Sequence, residues 1–126
     1  MELSLRDLKE LLGSQPSDAG EPLALSCVGQ VCIVRSTGSG VWLGTVDQTT
    51  ATAAGLIVRL SDARRIWRWK GAAELSELSR LGPSDVTETK MPSPVEVVEV
   101  IDVHEIIPIT REAGRQFARV APWSQR

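Results

Sequence analysis

The sequence predicts a small α+β domain: an antiparallel β-sheet with a short N-terminal helix, a middle helix and a C-terminal helix. Two patterns predict it. Between Leu23 and Lys70, β-prone runs alternate with short links rich in glycine, serine and other small residues. Beyond Lys70, leucine and alanine recur at helical spacing in two stretches bounded by glycine, proline or threonine, with a valine-rich strand region between them. With 126 residues, 42 % of them hydrophobic, the chain can bury one modest core and has no room for a second domain. The expected division is an N-terminal helix and linker over 1–22, a single domain over 23–120 and a tail over 121–126.

Ser4 precedes Leu5, Leu8, Leu11 and Leu12, a helical stripe that Gly13 ends, and the following GSQPSDAGEP is a flexible connection. Strands are expected over 23–28, 30–36 and 41–47, with Thr37 to Gly40 as a hairpin link. In the third strand Val41, Leu43 and Thr45 share one face and Trp42, Gly44 and Val46 the other, with Gly44 leaving room for a tryptophan or a ligand. Residues 48–54 read as a loop of small residues. Ala72 to Leu81 is a helix stopped by Gly82-Pro83, 83–94 a polar, proline-rich loop, and 95–107 one long or broken strand. Thr110 caps a last helix that runs to Val120. On it Ala113, Phe117 and Val120 form a buried stripe, and Arg111, Arg115 and Arg119 recur every four residues on the other side.

The stretch Leu56 to Lys70, LIVRLSDARRIWRWK, concentrates the charge. It reads as two short strands joined at Ser61-Asp62, with Arg64, Arg68 and Lys70 on one face and Arg65, Trp67 and Trp69 on the other. Its net charge is +4 in a chain of net −2, so the remainder carries −6. That asymmetry indicates a local anion site and argues against a nucleic-acid binder, whose domain is usually basic throughout. The plainer alternative buries the tryptophans and lets the arginines snorkel to water. The start of the chain lacks a basic region followed by an apolar run, and no stretch has the length of a membrane span, so a cytoplasmic location is expected.

Catalytic groupings are not evident. A hydrolase or transferase needs a nucleophile beside a base, a carboxylate pair in a dry cleft, or a metal cluster. The single histidine, His104, falls inside a strand run, and Cys27 and Cys32 lack a second pair for a zinc site. The glycines of 37–40 lack the lysine and helix start of a phosphate loop. The expectation is a binding protein with no catalytic residues, no metal and no cofactor.

The motifs VCIVRSTGSGVWLGTV, DARRIWRWKGAAELSELSRLG, KMPSPVEV and HEIIPITREAGR, in that order, resemble the phage anti-Thoeris sponge family from about Val28 to Arg119. The resemblance implies a phage or prophage anti-defence protein, assembled from dimers and often hexameric. It would sequester TIR-derived glycocyclic ADP-ribose isomers without degrading them, and some relatives also hold cyclic trinucleotides at separate sites. By the same resemblance, Arg111 and Arg115 match an arginine pair that meets the pyrophosphate, and Leu81 stands where an aromatic residue would stack on the base. Thr89, Lys90 and Met91 correspond to polar contacts with the base edge. Arg35, Ser36, Arg64 and Arg65 are the candidates for a second nucleotide site, and Trp67, Trp69 and Trp42 for contacts between subunits. The alternative class is a single-stranded nucleic-acid-binding or structural accessory protein, with Trp67 and Trp69 as stacking platforms or self-assembly contacts.

Overall fold

A computed structural model describes residues 21–23 and 27–125. The expected N-terminal helix lies outside the described residues, as do positions 24–26 of the first expected strand. The protein is a small α+β domain. Its strands are β1 (Glu21–Leu23), β2 (Val31–Ser36), β3 (Gly40–Thr52), β4 (Gly55–Arg65), β5 (Val95–Val100) and β6 (Val103–Pro108). Its helices are α1 (Leu75–Leu81) and α2 (Arg111–Ala118). The sheet is antiparallel in the order β5-β4-β3-β2-β6, with β1 added along the far end of β3.

β5 and β6 therefore occupy opposite edges of the sheet while only Ile101 and Asp102 separate them in the chain. Five strands laid flat would hold those edges roughly 19 Å apart. The three residue steps from Val100 to Val103 reach about 11 Å at most. The sheet must curl until its edges approach, and its faces become an inside and an outside. The expected long or broken strand over 95–107 is thus broken at a corner, where Asp102 takes a positive φ of 55°. Buried Ser36 on β2 donates its hydroxyl to the Ile101 carbonyl at 2.8 Å and ties the corner down.

Cys32, Val34, Trp42, Val46, Val58, Leu60, Ala63, Val100 and Val103 line the inside of the curl. Ile33 and Leu43 face outward, where Leu78 of α1, Ala113 and Phe117 of α2, and Met91, Ile66 and Val120 cover them. The period-2 alternation of β2 and β3 thus feeds two cores from a single layer of strands.

Two expectations about the central strands are corrected. Residues 48–54 are not a loop. β3 continues through β-branched Thr49, Thr50 and Thr52, Thr49 is fully buried, and the reversal comes at Ala53-Ala54, where Thr52 pairs with Gly55. Nor does Ser61-Asp62 turn the chain. β4 is one strand, and Asp62, with φ of 52°, forms a bulge in which Asp62 and Ala63 lie opposite Gly44. The extra residue reverses the alternation, so Ala63 points inward where an unbulged strand would place it outward. It also closes the room over Gly44, since a Cβ there would lie 3.2 Å from both Ala63 and Leu60.

The helices are tied at one point. Thr110 accepts from the Ala113 amide at 3.0 Å as the cap of α2 and donates to the Arg80 carbonyl at 2.5 Å at the end of α1. α1 begins at Leu75, later than the expected Ala72, because Glu74 caps it by accepting from the Ser76 amide. Gly82 ends it at φ of 73°, and a Cβ there would meet Gln116 Cβ at 2.6 Å, so the glycine serves both the turn and the helix contact.

The Gly44 contact sets a test. Gly44→Ala should destabilise the fold by about 1 to 3 kcal/mol, because the neighbours are the Ala63 Cα and the Cβ atoms of Ala63 and Leu60, which cannot move without the strand backbone. Gly38→Ala, in open space on the hairpin loop, should stay within about 0.5 kcal/mol of the parent in thermal unfolding.

Candidate functional site

Two regions concentrate side chains whose polar groups the fold leaves available. The first is a depression of about 480 Å³ where the end of α1 meets α2. Leu81, Gly82 and Ser84 form one wall, Gly71 closes an end, and Glu112, Arg115 and Gln116 form the other wall. Gln116 is fixed at both ends of its amide: its Nε2 donates to the Pro83 carbonyl at 2.8 Å, and its Oε1 accepts from Arg119 at 2.9 Å. Arg115 and Glu112 make no ion pair among the described residues, although both line the depression. Arg111 lies one turn before Arg115 on the same exposed side of α2, just beyond the lining. The start of α2 adds the positive end of its dipole to this neighbourhood.

The second region is an aromatic groove at the end of β4. The Arg65 guanidinium lies between two indoles, 4.5 Å from the Trp42 ring centroid and 5.1 Å from that of Trp67. A slot of about 280 Å³ opens beside them, walled by Pro92 and Val95. A second hollow of about 420 Å³ shares Trp67 and Pro92 with it and continues to Trp123, over whose ring Lys90 Nζ sits at 5.1 Å. Trp123 belongs to the expected tail, yet the segment is held: its amide donates to the Met91 carbonyl at 3.0 Å, and Pro122 bridges Met91. An aromatic following proline in an otherwise polar chain end was the available sequence signal for it.

Leu81 and Arg115, far apart in sequence, share the first depression, and Arg111 is adjacent. The other residues expected there are placed differently. Met91 is fully buried in the outer core. Thr89 is buried and bonded on both sides, donating to the Asp85 carbonyl at 2.9 Å and accepting from the Lys70 amide at 3.2 Å. Lys90 belongs to the aromatic groove.

Arg35, Ser36, Arg64 and Arg65 do not converge on a second site. Arg35 pairs with Glu105 across β2 and β6 at 2.9 Å, and Ser36 holds the corner. Arg64 and Arg65 leave β4 on opposite faces. The Arg64 head group donates to three carbonyls, those of Pro92 at 2.8 Å, Met91 at 2.9 Å and Val120 at 3.1 Å. It thereby binds the 91–92 segment and the end of α2 to the sheet. Burial lowers its pKa from the usual arginine value, against the opposing pull of Asp62.

The tryptophans divide as well. Trp42 is 8 % exposed and completes the inner core, Trp69 packs against the outer core with its Nε1 bonded to the Ala72 carbonyl at 3.3 Å, and Trp67 is 56 % exposed. Only Trp67 of the three offers a free surface.

His104 is exposed on β6, 3.6 Å from the exposed carboxylate of Asp102. Among the described residues no group of His, Cys, Asp and Glu is placed to hold a metal ion, and no helix is long and apolar enough to cross a membrane. Cys27 and Cys32 are both buried and free. Burial, with Cys27 alongside, pushes the Cys32 thiol up to about 12.

A family model described as a domain of unknown function, DUF6948, matches residues 29–117, and the chain belongs to that family. The match takes in β2 to β6, α1 and nearly all of α2, hence the depression and most of the groove. No curated protein and no solved structure matches the chain.

The split between structural and surface arginines is measurable. Arg64→Ala should cost roughly 2 to 3 kcal/mol, since it strips a charged donor from three carbonyls at once. Arg111→Ala and Arg115→Ala should each stay within about 0.5 kcal/mol in denaturant unfolding. The cysteines give a second check. Cys32 should resist alkylation in the native protein as the pH is raised through 9, where an ordinary thiol ionises, and react at once on unfolding.

Proposed function

We propose that this member of the DUF6948 family binds and sequesters TIR-derived glycocyclic ADP-ribose without degrading it. In that role it blocks Thoeris-type immune signalling, as a phage or prophage anti-defence protein in the host bacterial cytoplasm. The observation that carries the reading is the convergence of Leu81 and Arg115 on one depression, with Arg111 next to it. The sequence motifs that resemble the sponge family assign those three positions to the ligand.

The chemistry of the depression suits such a guest. Arginine forks grip phosphate oxygens in a bidentate way, and charge-assisted bonds are roughly twice as strong as neutral ones. Glu112 on the same wall would repel a bare anion, but a carboxylate accepts hydrogen bonds from ribose hydroxyls, so the pair Glu112 and Arg115 favours a phosphorylated sugar. Leu81, 40 % exposed, offers an apolar patch for a base in place of a stacking ring.

A sponge has to bind tightly and release slowly, and a nanomolar site requires about −12 kcal/mol. A depression open to solvent, with one guanidinium on its wall and another beyond its edge, falls short of that as a single subunit. A second copy laid over the α2 face would enclose the guest between two sets of arginines, which is how a dimer or hexamer enters the function. Cyclic trinucleotides are not part of this proposal, because Arg35, Ser36, Arg64 and Arg65 are held apart by their own partners.

Isothermal titration of the full chain with glycocyclic ADP-ribose isomers should give submicromolar binding. Mass spectrometry after heat release should recover the ligand unaltered. Arg111→Ala and Arg115→Ala should each weaken binding by roughly 10- to 100-fold, the range expected for hydrogen bonds to charged groups. Absence of binding below micromolar concentrations, or recovery of a chemically changed ligand, would sink the reading.

A further inference from the structure

Glu112 decides which end of the guest lies where, a role that rests on the function proposed above. Of the polar side chains that line the depression, Gln116 has both ends of its amide occupied. Ser84 packs its hydroxyl against Gly71, where there is no room for a Cβ, and can donate or accept. Arg115 and Glu112 are left. Both are exposed, and neither forms an ion pair with another side chain among the described residues. Residues three apart on a helix are neighbours, with about 5 to 6 Å between their Cβ atoms, and a glutamate and an arginine so placed ordinarily close on each other. Here they stay apart, so one wall offers a group that only donates beside a group that only accepts.

The guanidinium suits phosphate oxygens, whereas the carboxylate suits hydroxyls and repels phosphate. A guest that satisfies both carries phosphate and hydroxyls on one sugar. In a glycocyclic ADP-ribose, the bond between the two sugars consumes the anomeric carbon of one ribose and a hydroxyl of the other. The ribose that gives its anomeric carbon keeps both ring hydroxyls, adjacent and on the same side, whichever hydroxyl of the adenosine ribose was used. The two oxygens of a carboxylate can accept from such a pair together, much as an acidic side chain accepts from ribose in dinucleotide sites. The adenosine ribose, having given up one hydroxyl, has no pair to offer.

We propose that Glu112 is a specificity residue, accepting hydrogen bonds from the vicinal hydroxyls of the ribose remote from the adenine. The guest then has one orientation: that ribose at Glu112, the pyrophosphate at Arg115 and Arg111, and the base toward Leu81 on the opposite wall. Two consequences follow from the chemistry. Pyrophosphate without its sugars meets a repelling carboxylate and no compensating hydroxyl. The two glycosidic isomers present the same hydroxyl pair, so this contact holds them alike. Glu112 also lies in the first turn of α2, where an acid complements the helix dipole, a role that affects stability and not selectivity.

The test titrates the full chain, Glu112→Gln and Glu112→Asp with both glycosidic isomers by calorimetry, using inorganic pyrophosphate as competitor, after circular dichroism has verified that the variants are folded. For each isomer, the ratio of its affinity to that of pyrophosphate should fall about tenfold or more in Glu112→Gln, the range for a hydrogen bond to a charged group, and by a similar factor for both. Glu112→Asp keeps the carboxylate and should recover part of the ratio. An unchanged ratio in folded Glu112→Gln overturns the proposal, even where the melting temperature falls as loss of a dipole partner predicts. So does a fall for one isomer alone. Failure of the parent chain to bind either isomer is a different result: it removes the proposed function, and this assignment with it.

Discussion

The corner at Ile101-Asp102 is the constraint from which the rest of this architecture follows. A connection that short between strands on opposite edges excludes a flat sheet, and curling is what gives one layer of strands two buried surfaces. The inner surface closes on valines, Cys32, Ala63 and Leu60, with Trp42 as its one large ring. The outer one is left convex, and two short helices with the 90–92 segment are needed to cover it. α1 has seven residues and α2 eight, too few to be stable alone in water, so they exist as helices because that outer face receives them.

The bulge at Asp62 is the second determinant, because it decides which arginine does what. Without the extra residue Arg64 would enter the inside of the curl and Arg65 would face the helices. With it, Arg64 comes out under the 91–92 segment and the end of α2, where three carbonyls await a donor. Arg65 turns in beside Trp42 and Trp67. Adjacent residues of the same type thus serve separate ends: one fastens the helical layer to the sheet, the other is left with an unmet hydrogen bond at a surface groove.

These two determinants also mark the limit of what the sequence made legible. The alternation in β2 and β3, the cap at Thr110, the stop at Gly82 and the buried stripe of α2 are local patterns, and each appears where periodicity and capping chemistry place it. A bulge is different, since an inserted residue leaves no local mark when Ser61-Asp62 is also good turn chemistry. The separation of β5 from β6 is likewise invisible in VEVVEVIDVHEII, where the same alternation fits one long strand. The shared depression of Leu81 and Arg115 depends on how α1 meets α2, a contact set by Thr110 bridging to Arg80 and by the missing side chain of Gly82. The motifs named the residues; only packing could bring them together.

Net charge, finally, is a poor guide to what this surface offers. The chain is net negative, but folding occupies many of its carboxylates. Glu99 and Glu105 are matched across strands with Arg59 and Arg35. Glu74 and Asp85 accept from Ser76 and from Thr87 and nearby amides, bonds that hold both below the usual carboxylate range. Asp47 accepts from Ser61, and Glu77 from the Ala73 amide. What remains at the depression is mixed: Arg115 and Glu112 line its wall without an ion pair to each other, and Arg111 lies exposed just beyond. The sign of the whole chain therefore says little about the sign of the depression at the junction of the two helices.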